Sequence, residues 1–343
     1  MEQVKLAINT KLIVKDNVLA VICDSSLKTV SSAIYNGGHN QVKAVLNVGV
    51  PEGYSDLSLH LDPLELITSS ATKIGLTKDY LAMITAAKIK NYSLVSKKAA
   101  NFSVSVAATA GCSHGESSGE EMDVQEIAGT INIIVLIDGN PSESCMVAAL
   151  ITATEAKSAV MRDFDVRSRY TGDSATGSIT DCVTVASTCC GKTLSLAGPA
   201  SKLGKLVGSC TRQAVTEALL KQEPVWARRS VLDRLKERHL GLEKIVAEIS
   251  KVKGLNIDAS GLVEILKSNP FAGSFLLAAA KMDDDYQKNL LPTDFADWSD
   301  ISKCLGNYKV TKQDCSKLPS YDSVQLPPFL KQALIKIVKN AQE

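Results

Sequence analysis

"GTINIIVLIDGNPSESCMVAALITATEAKSAVMRDF", Gly129 to Phe164, decides the fold class. Its first part is apolar at every position from Ile133 to Ile137. A strand with one wet face alternates, whereas a strand covered on both faces reads as a continuous apolar run. The stretch therefore predicts a central strand. The second part predicts a helix running to about Phe164. Asn140 is placed to cap it, Pro141 to occupy its first helical position and Glu143 to complete a capping box. Val147, Leu150, Ile151, Thr154, Met161 and Phe164 fall on one face at helical spacing. Ala148, Ala149, Ala153, Ala156 and Ala159 keep the helix slim enough to pack closely on a sheet.

Outward from this pair, "KLIV" and "VLAVIC" flank Asp16-Asn17 and read as a hairpin. "VKAVLNVGV" reads as another strand. A helix opens at Asp62 and Pro63 and closes near Gly75. "LAMITAAKI" and "NFSVSVAATAG" read as strands, the first followed by a short polar connector. "CVTVAS", Cys182 to Ser187, is a further strand, and a last helix spans about Lys202 to Gln222, stopping before Pro224. Together residues 1–224 predict an α/β domain, a mixed sheet with helices packed on it. From Val225 the chain turns charged and helical, then looser around its later prolines, so 225–343 reads as a mainly helical C-terminal appendage.

The 343 residues are 45% hydrophobic and 22% charged, enough for a sizeable core. A net charge of +1 and 5% aromatic residues argue against a nucleic-acid partner. Apolar runs such as "IIVLI" and "FLLAAA" are too short to span a bilayer, so no membrane partner is expected. The N-terminal stretch lacks the pattern of a signal peptide. Nine scattered cysteines without a CxxC pair read as reduced thiols, which predicts a cytoplasmic protein.

Several motifs have competing readings. "ASTCCGKT", Ala186 to Thr193, fits a loose phosphate loop and would suggest a nucleotide-dependent enzyme. Such a loop needs its Lys at a helix start, and Gly198-Pro199 follows too soon. "GESSG", Gly115 to Gly119, has the spelling of a nucleophile elbow but lacks the flanking strand and helix. Ser117 as a nucleophile in another geometry stays open, beside an ordinary polar loop. His39 and His114 lie among glycines in loops where sites are commonly placed. His60 and His239 read as structural or exposed, "EEMDVQE" as a solvated face, and Glu155 as a partly buried acid.

In order, "YNGGHN", "AMITAAKI", "ATAG", "GTINIIVLID", "ATEAK" and "TGSITDCVTVAS" resemble the adenosylcobinamide amidohydrolase family over about residues 10–222. Where that family's loop often carries a second glycine, this chain has Ile179. The resemblance implies a corrinoid substrate and a salvage reaction. The amide joining the aminopropanol arm to the corrin ring is hydrolysed, giving adenosylcobyric acid. It implies no particular catalytic residue.

The residues themselves supply candidates. Amide hydrolysis needs an activated nucleophile, a stabilised oxyanion and a protonated leaving amine. His39 and His114 are the acid–base candidates; either could instead ligate the corrin's cobalt. Thr180 and Asp181 complete the catalytic set, Asp181 orienting a hydroxyl or a histidine. Thr176, Gly177 and Ser178 form a hydroxyl-rich cradle, and Gly37-Gly38 would let backbone approach the corrin. Asn36 and Asn132 could pair with its amide arms. No cofactor and no metal site are expected, and a homo-oligomer stays open. The alternative is a corrinoid-binding protein that keeps the cradle without catalysis.

Overall fold

A computed structural model describes residues 2–51, 63–113, 115–120, 129–291 and 326–342. His60, His114, most of "EEMDVQE", Cys304 and Cys315 lie outside them. The chain divides into two compact units, Met1–Arg228 and Arg229–Glu343.

The first unit is a curled mixed sheet with helices on it. Its strands are β1 (Glu2–Ala7), β2 (Thr10–Lys15), β3 (Val18–Ser31), β4 (Gly38–Gly49), β5 (Tyr80–Thr85), β6 (Ser93–Lys98) and β7 (Ser103–Ala110). Then come β8 (Gly115–Glu116), β9 (Ile131–Asp138), β10 (Asn140–Pro141), β11 (Gly177–Ser178), β12 (Cys182–Ser187) and β13 (Thr193–Leu194). Helix α1 (Leu64–Lys73) follows β4, α2 (Glu143–Asp163) follows β10 and α3 (Lys202–Gln222) follows β13.

Among the described residues the main sheet runs β1-β2-β3-β12-β9-β7-β6, with β4 paired to β3 and β5. β3 organises the curl. Its start pairs with β2 and its end with β12 on one edge, while β4 pairs along the other. The register with β4 slips between Ile22 and Leu27. Extra residues in one strand bend it and increase its twist, which lets one strand serve both halves of the sheet. The predicted hairpin is present, with Asp16 and Asn17 at φ of 50° and 60°, the left-handed pair that a tight hairpin turn demands.

β9 is covered on both sides, as its apolar run predicts. Ile133, Val135 and Ile137 pack under α2 and α3. Ile134 and Leu136 point into the curl with Leu19, Leu81 and Met83. α1 covers β4 and β5 through Ile67 and Ala71. β6, which reads as a polar connector, is instead a strand at the sheet's edge. Its exposed Lys97 and Lys98 suit an edge that must not pair with another chain.

α2 departs from the expected helix in two ways. Its cap is Ser142, whose Oγ accepts the Cys145 N–H, and Asn140-Pro141 form β10 against β13. Its buried face is mostly small, with Cys145, Ala149, Thr152, Ala153 and Ala156 beside Met146, Lys157, Val160 and Met161, the last a member of the expected face. Val147 and Ile151 are about half exposed, at 47% and 52%. α2 is apolar and long enough to cross a bilayer, but half of it is buried within the unit against the sheet and α3. Close approach of helix to sheet selects small side chains there, so bulk alone does not mark the inner face.

In the second unit α4 (Val231–Lys236), α5 (Leu242–Ile249), α6 (Ala259–Ser268), α7 (Pro270–Gln287) and α8 (Pro328–Gln342) enclose Leu235, Ile245, Leu276, Leu330 and Leu334. Asp283 of α7 is buried and accepts the N–H groups of Phe329 at 3.0 Å and Leu330 at 2.8 Å, at the start of α8. Burial outweighs those two donors and pushes its carboxyl up to about 7.

Ala153→Leu should destabilise the first unit by about 1–3 kcal/mol, the scale of overpacking, while Ile151→Ala stays within about 0.5 kcal/mol. Urea unfolding checks both. Asp283 binds its proton more tightly folded than unfolded, so its contribution is greatest below the ordinary carboxylate range and is lost as pH rises through about 7. The C-terminal helices should therefore show a falling urea midpoint from pH 5 to pH 8, and Asp283→Asn should flatten that dependence.

Candidate active site

The loop before β12 folds back on β12's own first residues. β11 pairs with β8, Gly177 opposite Glu116 and Ser178 opposite Gly115. Between this ribbon, α2 and the segment around Tyr170 lies a cleft of about 340 Å³. Lys157 and Asp181 line it together.

Asp181 is the centre of the arrangement. Oδ1 accepts the Ile131 N–H at 3.0 Å and the Ser178 hydroxyl; Oδ2 accepts the Ser178 N–H at 3.0 Å and the Lys157 ammonium. The two side chains of the ion pair are only 9% and 12% exposed. Lys157 reaches it from the buried face of α2, one turn beyond Ala153. A Cβ at Gly177 would run into Asp181 Oδ2 and Lys157 Nζ, which explains the glycine at that position. Thr180 shares a hydrogen bond with Thr130 at 2.8 Å, and Thr176 Oγ1 accepts the Ser118 N–H at 3.0 Å.

Two more carboxylates border the cleft. Glu120 accepts the Ser168 hydroxyl at 2.7 Å, the Thr171 hydroxyl and the Ser117 N–H at 3.4 Å. Glu116 has a buried Oε1 with no hydrogen-bond partner. Burial, then the neighbouring Glu120, raise its carboxyl above the ordinary range, against a smaller opposing effect of Arg169. Glu223, just past α3, fixes the start of the segment that carries Glu116. It accepts the Cys112 N–H at 3.4 Å, the Ser113 hydroxyl at 2.9 Å and the Trp226 indole N–H.

The structure thus brings together Thr176, Gly177, Ser178, Thr180 and Asp181, and leaves other candidates elsewhere. His39 is exposed, with Nε2 3.7 Å from Glu143 Oε1 at the start of α2. From residue 143 to residue 157 is about 21 Å along a helix axis, so His39 does not join the Asp181 cluster. Asn36, Gly37 and Gly38 make the turn between β3 and β4. Asn36 Nδ2 donates to the Tyr80 carbonyl at 2.9 Å, Gly38 has a φ of 77°, and a Cβ at Gly37 would strike the Ala33 carbonyl. These glycines close a turn and do not line the cleft. Asn132 is buried inside the curl. Its amide N–H groups go to Asn47 Oδ1 and the Ile84 carbonyl, both at 2.8 Å, its Oδ1 is buried without a hydrogen-bond partner, and the side chain does not line the cleft. His114 lies outside the described residues.

Lys157 and Glu116 line the cleft and are the candidates that sequence reasoning passed over. Lys157 had a signal: it falls on the stripe of Ala149, Ala153, Ala156 and Val160, where a lysine needs a partner. Glu155, read as a partly buried acid, is exposed. In "ASTCCGKT" the next helix starts at Lys202, and Thr193 belongs to β13, so Lys192 does not open a helix.

The family model for adenosylcobinamide amidohydrolase matches residues 3–226, which hold the whole cleft. The chain belongs to the adenosylcobinamide amidohydrolase family. It is 30% identical over 213 residues to an adenosylcobinamide amidohydrolase of Methanosarcina mazei, covering 61% of this chain and 92% of that protein. It is 28% identical over 209 residues to an uncharacterized protein of Methanocaldococcus jannaschii, covering 55% of this chain and 81% of that one. The crystal structure of the PH0078 protein from Pyrococcus horikoshii OT3 is similar over 62% of this chain and 83% of that chain, with 11% identity and a TM-score of 0.34. Likeness at that level says nothing of the reaction. The family name describes a hydrolase of amide bonds, and the cleft offers this family member a near-buried cation at its wall.

Gly177→Ala should force Lys157 and Asp181 apart, costing about 1–3 kcal/mol by overpacking. The urea midpoint should fall accordingly, whereas Gly38→Asn, at a left-handed position with open space around it, should be nearly neutral.

Proposed function

We propose that this protein hydrolyses the amide between the aminopropanol arm and the corrin ring of adenosylcobinamide, yielding adenosylcobyric acid, as a cytoplasmic salvage enzyme. The observation that carries the reading is the Lys157 ammonium, held by Asp181 at the wall of a cleft within the family-matched residues. A cleft of about 340 Å³ suits one amide arm, with the macrocycle outside it.

The chemistry follows from the donors. A carboxylate offers about four lone-pair sites, and Asp181 has four donors upon it. It therefore holds Lys157 and the 176–181 loop and is not the group that moves protons. An ammonium has three N–H donors, and Asp181 takes one of Lys157's. Another is free for the oxygen of the scissile carbonyl as it gains charge, where a preorganised donor is worth most. The rim hydroxyls of Ser117, Ser118 and Thr176 orient the arm.

Mass analysis of adenosylcobinamide after incubation with the chain tests the reaction. Loss of the aminopropanol mass and appearance of the free acid are expected. Lys157→Met should lower turnover about a hundredfold or more, the scale of losing an oxyanion donor. His39→Ala, about 20 Å away along α2, should keep its rate. Tight binding with an unchanged corrinoid mass would make the chain a corrinoid-binding protein.

A further inference from the structure

We propose that Glu116 is the catalytic acid–base residue of this hydrolysis, taking a proton from the attacking water and delivering it to the departing nitrogen. The proposal rests on the reading given above, that the cleft hydrolyses an amide.

Placement comes first. Glu116 is directly paired with Gly177, the residue over whose bare Cα the Lys157–Asp181 pair meets. Its side chain is half-buried and lines the same cleft. Availability comes second. Among the described residues three carboxylates border the cleft, and two are engaged: Asp181 by four donors, Glu120 by Ser168, Thr171 and the Ser117 N–H. Glu116 alone among the three keeps a buried oxygen without a partner. Such an atom costs about 1–3 kcal/mol when left unsatisfied. A turn of the carboxyl into the cleft that Glu116 lines would let a water or an amide N–H satisfy it.

The balance of the step needs nothing but water. The ionised Glu116 carboxylate accepts one proton as the water oxygen bonds to the amide carbon. The carbonyl electrons move onto oxygen, which the Lys157 ammonium faces. Glu116, now protonated, gives that proton to nitrogen. The C–N bond breaks, the carbonyl reforms, and the products are a carboxylic acid, which ionises, and an amine. One carboxyl serves as base and then as acid, and ends as it began.

Its surroundings suit the double role. Burial and then Glu120 on its own segment raise the carboxyl, Arg169 on the facing loop opposes, and Lys157 of α2 and Asp181 face the cleft as an ion pair. A proton-transfer group works best when its affinity for the proton approaches the operating pH.

The test uses the full chain and adenosylcobinamide. Glu116→Gln should lower kcat by about 10²- to 10⁴-fold, the range for general acid–base catalysis, with KM little changed. The acidic limb of the wild-type rate profile, where Glu116 becomes protonated before water attacks, should disappear from the residual activity. Glu116→Ala should regain part of its rate with added formate, which can occupy the vacated space as a base. Wild-type-like turnover in Glu116→Gln overturns the role while leaving the reaction standing. A loss of rate that keeps the acidic limb and resists formate also overturns it, because a merely structural residue behaves that way. A wild-type chain that binds the corrinoid without hydrolysing it overturns the reaction and the role together.

Discussion

A nearly buried ammonium and carboxylate, Lys157 and Asp181, fix the site end of the N-terminal unit. Taking each charge out of water costs several kcal/mol, and their attraction offsets this only if the remaining lone pairs are also satisfied. Here they are. The Asp181 carboxylate ties α2 through Lys157, the start of β9 through the Ile131 N–H, and the β11 turn through Ser178. One side chain thereby sets the relation of a helix, a central strand and a loop. Loss of either partner would strand the other in a dry place, at about 3–5 kcal/mol. An apolar pair of similar volume could hold the same three elements. An apolar pair would not, however, present a cation to a cleft.

Much of the fold is legible because its signals are local. The Asp16-Asn17 turn, the two-faced run of β9 and the stop of α3 before Pro224 each follow from nearby residues. The failures share a cause. The inner face of α2 is set by the sheet's proximity, so Ala149 and Ala153 go inward and the bulkier Val147 and Ile151 outward. Ser142 displaces Asn140 as cap because Asn140 and Pro141 pair with Thr193 and Leu194, residues far along the chain. The strand character of Ser93–Lys98 is likewise conferred by β7. The same division holds in the site. The loop around Gly177 and Asp181 announces itself by composition, whereas Glu116 enters only through a two-residue ribbon with β11 that no local pattern encodes.

The curl of the sheet sorts polar residues into two kinds. Asn132 donates to Asn47 and the Ile84 carbonyl, Asn47 donates to Thr109, and Thr109 to Thr85. These links join β9, β4, β7 and β5 across the interior, where an unmade hydrogen bond is costly. Asn132 and Ile131 are adjacent, yet the Asn132 amide donates into this interior network and the neighbouring Ile131 N–H feeds the cleft through Asp181. A polar residue beside a site is therefore not a site residue by proximity; its donors must be free. Asn132 and Asn36 donate to the sheet's own carbonyls and amides away from the cleft, whereas Lys157 lines it.

Three carboxylates within one small cleft would repel each other if all were treated alike. Their surroundings make them different. Asp181 is surrounded by donors and holds a cation, which fixes it in place. Glu120 is satisfied by two hydroxyls and a backbone N–H. Glu116 keeps one oxygen without a donor, and burial and then the neighbouring Glu120 raise its proton affinity. Acids in such unlike surroundings can take separate roles, and under the proposed reaction Asp181 anchors charge while Glu116 exchanges protons. The glycine at 177 makes this division possible. It lets the anchored pair approach the ribbon closely enough that Glu116 and the Lys157 ammonium border the same small volume.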